Sequence, residues 1–223
     1  MKQYHALRMG LTGLSLALFI GALYLVFLYV PTEATMGVVQ RIFYFHVPVA
    51  WVAFLAFFIV FLCSILYLWK RQSRWDVIAS SAAEVGVVFT TLVLITGAIW
   101  AKPIWGVWWV WEPRLTTALV LWFIYVAYLL VRSYAAEESR GARFAAVVGI
   151  VGFIDVPIVA MAITLWRTQH PGPVIFEGGL APAMLLTLLV SIFAFTTLFV
   201  VLLMQRVSLK NSEEAVKRMK SSN

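Results

Sequence analysis

Six long apolar runs constrain this chain more than any other feature of its sequence. A helix needs about 20 mostly apolar residues to cross a bilayer; the fourth run is shorter, and its helix is expected to begin nearer Pro113. Hydrophobic residues make up 63% of the chain and charged residues 12%, against roughly 45–50% and 25% in soluble proteins. This composition excludes a soluble enzyme and a disordered chain, and the single cysteine excludes a disulfide scaffold. We therefore predict an all-α integral membrane protein with six transmembrane helices, over Leu11–Val30, Pro48–Trp69, Val77–Trp100, Thr116–Val131, Ala145–Trp166 and Leu180–Met204.

The distribution of basic residues predicts the orientation of these helices. Cytoplasmic loops of membrane proteins carry an excess of Lys and Arg. Thirteen of the 17 lie in the N-terminal segment, the loops near 70–76 and 132–143, and the C-terminal segment. The loops over 31–47, 101–115 and 167–179 hold the other four, Arg41, Lys102, Arg114 and Arg167. Both termini are therefore predicted to be cytoplasmic and these three loops to be outside. The net charge of +7 then reflects the excess of Lys and Arg in the cytoplasmic segments. The expected surroundings are a lipid bilayer, and no nucleic-acid partner is expected.

The chain is predicted to form one membrane domain over residues 1–223, because no loop is long enough to fold separately. The first run is too long for the core of a signal peptide and no A-x-A site follows it, so we expect an uncleaved anchor. In the cytoplasmic tail, 205–223, Glu213 and Glu214 precede Lys217 and Arg218 by four residues. This spacing favours a helix.

The second outer loop contains a cluster of tryptophans between Pro103 and Pro113, here called the tryptophan loop. Proline suits the first turn of a helix and disfavours helix in the residue before it, so segment 103–112 is predicted to be a short interfacial helix of ~15 Å. Gly106 would let a flat molecule approach its backbone. Tryptophan is also enriched at membrane interfaces without any ligand, so an aromatic belt and a platform for a flat apolar ligand both remain open. On such a helix, Trp105, Trp108, Trp109 and Glu112 share one face, and Trp111 is turned aside.

Two of the three histidines lie in the outer loops on either side of the tryptophan loop. His46 is at the outer mouth of the second span and His170 follows the fifth, whereas His5 is in the cytoplasmic segment and has no assigned role. Each outer histidine alone is compatible with an ordinary loop residue, but two on one face fit a pair of axial ligands to haem iron. Haem also offers a flat macrocycle to indole rings and propionates to basic side chains. The basic candidates are Arg41 and Arg114, followed by Lys102 and Arg167.

Several other site chemistries compete with haem. Zinc is the weaker metal hypothesis, because Glu112 and Glu177 would have to complete a shell without an outer cysteine. Carboxylates inside the membrane are functional candidates by default. Glu84 lies near the cytoplasmic end of span three, where it can remain hydrated. Asp155 lies deeper, near the middle of span five and two residues before Pro157. A permease would place polar, broken helices at such a depth. An electron-carrying cytochrome b is the least favoured function, because no histidine lies inside a predicted span. No nucleophile–base pair and no Walker A motif indicates an enzyme.

The tryptophan loop resembles the signature of a known family. The stretch from Trp105 to Thr116, W-G-x-x-W-x-W-E-P-R-L-T, is similar to the tryptophan-rich WWD signature of haem-handling proteins in cytochrome c biogenesis. The six spans, the length, the flanking histidines and the Arg41–Trp51 stretch resemble the cytochrome c maturation protein C (CcmC) family across essentially the whole chain. Related haem-attachment proteins of the same superfamily are usually longer. The family usually has Asp where this chain has Glu112, which leaves the contact of this carboxylate open.

The resemblance implies a bacterial inner-membrane protein that holds haem b non-covalently on its periplasmic face. It implies delivery of that haem to the haem chaperone CcmE, with the ABC-transporter subunits CcmA and CcmB and the small membrane protein CcmD as partners. Residue by residue, it implies His46 and His170 as axial ligands, the four tryptophans as the platform, and Arg41 and Arg114 at basic family positions. The alternative is a permease subunit of an ABC-type exporter of haem or another solute.

Overall fold

The chain is almost entirely helical in the computed structural model, which describes residues 2–134, 138–166, 170 and 178–221. Six helical stretches are long and apolar enough to cross a membrane, which confirms the predicted number of spans. The fourth begins at Pro113, as expected. The helices are α1 (Lys2–Tyr24), α2 (Phe43–Lys70), α3 (Ser73–Trp105), α4 (Pro113–Tyr134), α5 (Glu138–Gly152), α6 (Asp155–Leu165) and α7 (Pro182–Ser221). A π-helical turn over Leu25–Tyr29 extends α1, and a 3-10 turn over Val38–Ile42 leads into α2.

The antiparallel pair α2 and α3 forms the centre of the bundle. Helix α7 packs against α1, α2 and α3, while α4 packs against α3, α5 and α6. In the core, the Phe57 ring stacks on Tyr125 with 3.6 Å between centroids. Gly86 makes room for this stack, because a Cβ atom there would come within 2.6 Å of the Phe57 ring.

Ion pairs connect the helices at the end of the bundle opposite the tryptophan loop. Arg132 on α4 donates to both carboxylate oxygens of Asp76 on α3. Glu84 on α3 accepts from Arg206 and from Lys210, whose Nζ is 2.9 Å from the Glu84 carboxylate. Glu84 is thus neutralised by two cations of α7 instead of depending on hydration alone. Its place in the fold is to connect α3 to α7.

The tail continues α7 and is helical to Ser221. Glu214 pairs with Arg218 at 3.6 Å, as the charge spacing predicts. At 1.5 Å per residue, a 40-residue helix is ~60 Å long, about twice the ~30 Å hydrocarbon core of a bilayer. Its C-terminal part therefore extends beyond the membrane.

The predicted helix over 103–112 is wrong. Helix α3 continues through Pro103 to Trp105 and ends at Gly106, which has φ 76°. The Gly106 amide donates to the Lys102 carbonyl oxygen at 3.0 Å, which is the usual left-handed glycine cap of a helix C-terminus. The residues from Gly106 to Glu112 form an irregular link, and α4 begins at Pro113. Gly106 therefore ends a helix and does not expose the backbone of one.

Span five is two helices and not one continuous run. Helix α5 ends at Gly152, a turn follows over residues 153–154, and α6 begins at Asp155. Pro157 explains the break, because it has no N–H to bond the carbonyl of Phe153 and its ring clashes with that carbonyl. At the break, the Ile154 amide donates to the Val151 carbonyl oxygen at 3.1 Å.

Candidate functional site

A largely apolar cavity lies at the tryptophan-loop end of the bundle, among α2, α3, α4 and α6. Its empty space, including the part that is open to solvent, is about 970 Å³. The polar and aromatic side chains that line it are His46, Phe54, Thr90, Trp100, Trp105, Trp109, Arg114 and His170. Residues distant in sequence, including both predicted ligand histidines, therefore meet at one site.

His46 lies inside α2 and not in the predicted loop over 31–47, because α2 already begins at Phe43. Its side chain is buried, with 9% of its surface exposed. His46 Nδ1 is 2.9 Å from Thr96 Oγ1, and the Thr96 hydroxyl donates to the Leu92 carbonyl at 2.7 Å. Since the Thr96 hydroxyl hydrogen is used, its oxygen accepts from Nδ1–H, which leaves the Nε2 lone pair of His46 available to a metal.

Gly97 and Trp100 complete the surroundings of His46. A Cβ atom on Gly97 would lie 3.3 Å from His46 Cε1, so a larger residue there would push the imidazole a few tenths of an ångström away from α3. The Trp100 indole meets the imidazole edge-on with 5.8 Å between centroids. Helix α3 thus fixes the His46 ring on two sides.

His170 faces His46 across the cavity. It lies in the predicted loop 167–179, most of which is outside the described residues. The two imidazole centroids are 6.4 Å apart, with 39° between ring planes. With metal–nitrogen bonds of about 2.0 Å and ring nitrogens roughly 1.2 Å from the centroid, two imidazoles on opposite sides of one metal ion place their centroids about 6.4 Å apart. The separation in the structure matches this geometry.

The tryptophan loop divides into a lining part and an exposed part. Trp105 and Trp109 line the cavity, and the indole N–H of Trp109 is buried without an acceptor among the described residues. Trp108 and Trp111 are 58% and 77% exposed. The structure therefore brings two of the four platform tryptophans to the site, and adds Trp100.

Among the predicted basic residues, the structure places Arg114 at the cavity. Its Nη1 is buried, and no described residue accepts a hydrogen bond from it. Arg41 instead donates to the Phe27 carbonyl at 3.3 Å, and Lys102 donates to the Gly106 carbonyl at 2.8 Å. Arg167 lies outside the described residues.

Glu112 is buried at the N-terminus of α4, where its carbonyl accepts from the Thr116 amide at 2.9 Å. Its carboxylate is close enough to Arg114 to interact electrostatically. A carboxylate at this position is also stabilised by the helix dipole. Glu112 thus contributes to the site by its charge beside Arg114, without lining the cavity.

The residues of this cavity fit a flat macrocycle with a central metal ion. The two imidazole centroids lie 6.4 Å apart, indoles line the same cavity, and a buried guanidinium with an unused donor can meet an acidic group. The donor set fits zinc less well, because the described residues contain no cluster of three or more His, Cys, Asp or Glu. Glu177, the other carboxylate considered for zinc, lies outside the described residues.

Sequence reasoning missed Thr96, Gly97 and Trp100. They lie inside an apolar run that is explained by membrane insertion alone, and their contact with His46 arises only when α2 and α3 pair. The sequence signal that could have indicated them is a hydroxyl residue followed by glycine, one helical turn before a tryptophan near the end of a span.

The chain matches the CcmC family, described as Heme exporter protein C, over residues 2–222. It is 38% identical to Heme exporter protein C of Bradyrhizobium diazoefficiens over 77% of this chain, a match that spans 66% of that relative's length. It is 34% identical to Heme exporter protein C of Haemophilus influenzae over 85% of this chain and 78% of that relative. It is also 34% identical to a putative cytochrome c biosynthesis ccmC-like mitochondrial protein of Marchantia polymorpha, over 71% of this chain and 67% of that protein. The chain belongs to the CcmC family.

Proposed function

We propose that this protein binds haem b non-covalently, with His46 and His170 as its axial ligands. The observation that carries the proposal is the pair of opposed imidazoles, 6.4 Å apart, in an apolar cavity bounded by indoles. The names of the relatives, which refer to heme export and to cytochrome c biosynthesis, support the same ligand. When bound, haem supplies an iron centre whose ligation decides whether it is held or passed on.

Each side chain at the cavity has a defined task in this proposal. Thr96 orients the His46 ring and fixes its tautomer, which leaves the Nε2 lone pair available to iron. The Trp105 and Trp109 indoles would contact the macrocycle, and the Arg114 Nη1 donor would meet a propionate. The apolar remainder of the wall excludes water, which strengthens these polar contacts.

We propose that the protein resides in the bacterial inner membrane with this cavity facing the periplasm. The basic loop between α2 and α3 and the basic end of α7 lie at the other end of the bundle, which agrees with a cytoplasmic location for that end. From there the protein would present haem to CcmE, in an assembly with CcmA, CcmB and CcmD. Two ligands that hold haem without a covalent bond are suited to delivery rather than to catalysis.

The test is an absorbance spectrum of the detergent-purified protein in oxidised and reduced forms. The wild type is expected to show a b-type spectrum that is altered or lost in His46→Ala and in His170→Ala, whereas His5→Ala is the matched histidine control. Incubation with purified CcmE is expected to move haem from the wild type to CcmE. A wild type without haem, even after haem is added with its membrane partners, would contradict the proposal.

A permease subunit is the second candidate, and one observation favours it. Span five is broken at residues 153–154, and transporters commonly place broken helices at their binding sites. In that case substitutions at the break would stop movement of haem across proteoliposome membranes while the haem spectrum of the purified protein stayed normal. If the same substitutions removed the haem spectrum but left haem transport intact, the result would instead favour the binding function.

A further inference from the structure

The break in span five places a carboxyl group and a hydroxyl group together inside the membrane region. Asp155 is the first residue of α6. Tyr125 on α4 is fully buried, held by its stack on Phe57. A Cβ atom on Gly152, the last residue of α5, would lie 3.9 Å from the Tyr125 ring, so the tyrosine packs directly against the break.

Each of these two groups has a polar atom that makes no hydrogen bond to any described residue. Asp155 Oδ2 and the Tyr125 hydroxyl oxygen are buried, and neither has a hydrogen-bond partner there. Buried polar atoms are normally paired, and an unpaired set at one place indicates a bound water or ion. Together these groups form a polar site between two half-helices.

The environment of Asp155 allows both of its charge states. Burial without a cation beside it disfavours the carboxylate, whereas the N-terminal end of a helix favours it. Tyr125 on α4 interacts electrostatically with Asp155. Tyr128, one turn further along α4, interacts with Tyr125 and with Cys63 on α2. Beyond Tyr128 lies the ion pair between α3 and α4. No charged side chain of the described residues acts on Asp155 directly.

The polar site lies directly beneath the cavity. Val159 and Leu121 line the cavity, and each is four residues, about one helical turn of 5.4 Å, from Asp155 or Tyr125. A unit charge about 12 Å from Asp155 changes its proton affinity about tenfold at an effective dielectric constant of 20. The charge of a ligand in the cavity is therefore felt at the break.

We propose that the break in span five binds a proton, which the Asp155 carboxyl group holds beside the Tyr125 hydroxyl group and takes up when an anionic macrocycle enters the cavity. The uptake adds one proton from solution to one carboxylate oxygen and changes no other bond. The coupling to the cavity rests on the proposed haem function, whereas the proton site itself does not.

Infrared spectroscopy of the ligand-free protein in lipid bilayers tests the proton site. The wild type is expected to show the carbonyl band of a protonated carboxyl group, and this band should decline as the pH is raised. The band should be absent in Asp155→Asn and retained in Glu84→Gln, a matched control in which a membrane carboxylate with cationic partners is removed. Tyr125→Phe should keep the band but shift its frequency, a change that a purely structural tyrosine would not cause.

Addition of iron protoporphyrin IX tests the coupling. The decline of the band is expected to move to higher pH by about one unit, a tenfold rise in proton affinity. An unchanged band in Asp155→Asn, or no such band in the wild type, would refute the proton site. A band that ignores bound haem would refute the coupling, and failure to bind haem would refute the haem function while the ligand-free spectra still decide the proton site.

Discussion

The hydrogen bond between His46 and Thr96 yields the sharpest prediction about the site. Replacing Thr96 by valine keeps the branched shape and removes the oxygen that lies 2.9 Å from His46 Nδ1. An imidazole that binds iron through Nε2 must carry its proton on Nδ1, so haem binding forces a buried N–H without an acceptor. In the ligand-free protein the proton can move to Nε2, and the cost therefore appears as lost affinity.

The size of this loss follows from the burial of His46. A buried donor without a partner costs about 1–3 kcal/mol, and loss of the partner that orients a metal ligand typically weakens binding ~10–100-fold. We expect a loss in this range when the detergent-solubilised protein is titrated with iron protoporphyrin IX and followed by absorbance.

Thr90→Val is the matched control for this titration. Thr90 also lines the cavity, but its hydroxyl donates to the Gly86 carbonyl at 2.7 Å and does not contact a histidine. The affinity of the Thr90→Val protein for haem should stay near that of the wild type. Equal affinities in the Thr96 and Thr90 variants would refute the assigned tautomer and the reasoning built on it.

Three further predictions use the same titration, and two of them pair a residue at the cavity with a control residue away from it. Trp109→Phe should weaken haem binding by about 0.5–1.5 kcal/mol, whereas Trp111→Phe, at an exposed position, should leave it unchanged; equal effects would favour an aromatic belt. Arg114→Gln should cost about 1.5–3 kcal/mol through a lost charge-assisted hydrogen bond, and Arg41→Gln, away from the cavity, should cost little. Gly97→Ala should displace the His46 imidazole, weaken haem binding by about 1 kcal/mol or more and change the absorbance spectrum of the reduced protein. An unchanged spectrum would show that the His46 ring can accommodate the added methyl group.

The spans and the pairing of the two histidines could be predicted because each depends on a strong local signal. Apolar runs of membrane length leave little choice of structure. Loops on the same side of a bundle are close together whatever the details of packing. His46 and His170 therefore meet as expected, although the helix that carries His46 starts earlier than the apolar run indicates.

The tryptophan loop was mispredicted because proline and glycine signals conflict there. Pro103 was interpreted as the start of a helix, but in the structure it is tolerated within the last turns of α3. Gly106 ends that helix in a left-handed conformation. The bend places Trp105 and Trp109 at the cavity and leaves Trp108 and Trp111 exposed. The periodicity of a helix over 103–112 sets Trp111 apart but groups Trp108 with Trp105 and Trp109.

The break in span five and the contacts of His46 depend on tertiary packing. The apolar run over Ala145–Trp166 shows no interruption except Asp155 and Pro157, so the sequence alone favours one helix. Whether Arg114 or Arg41 reaches the cavity depends on how the ends of α2 and α4 are placed, which sequence spacing does not determine.

Electron paramagnetic resonance of the ferric haem-loaded protein tests the central claim most directly, because it reports the axial ligands of the iron. Two imidazoles from His46 and His170 should give a low-spin signal in the wild type. Removal of either histidine alone should convert it to a high-spin or altered low-spin signal. A low-spin signal that survives unchanged in either alanine variant would show that this histidine is not a ligand and would contradict the account.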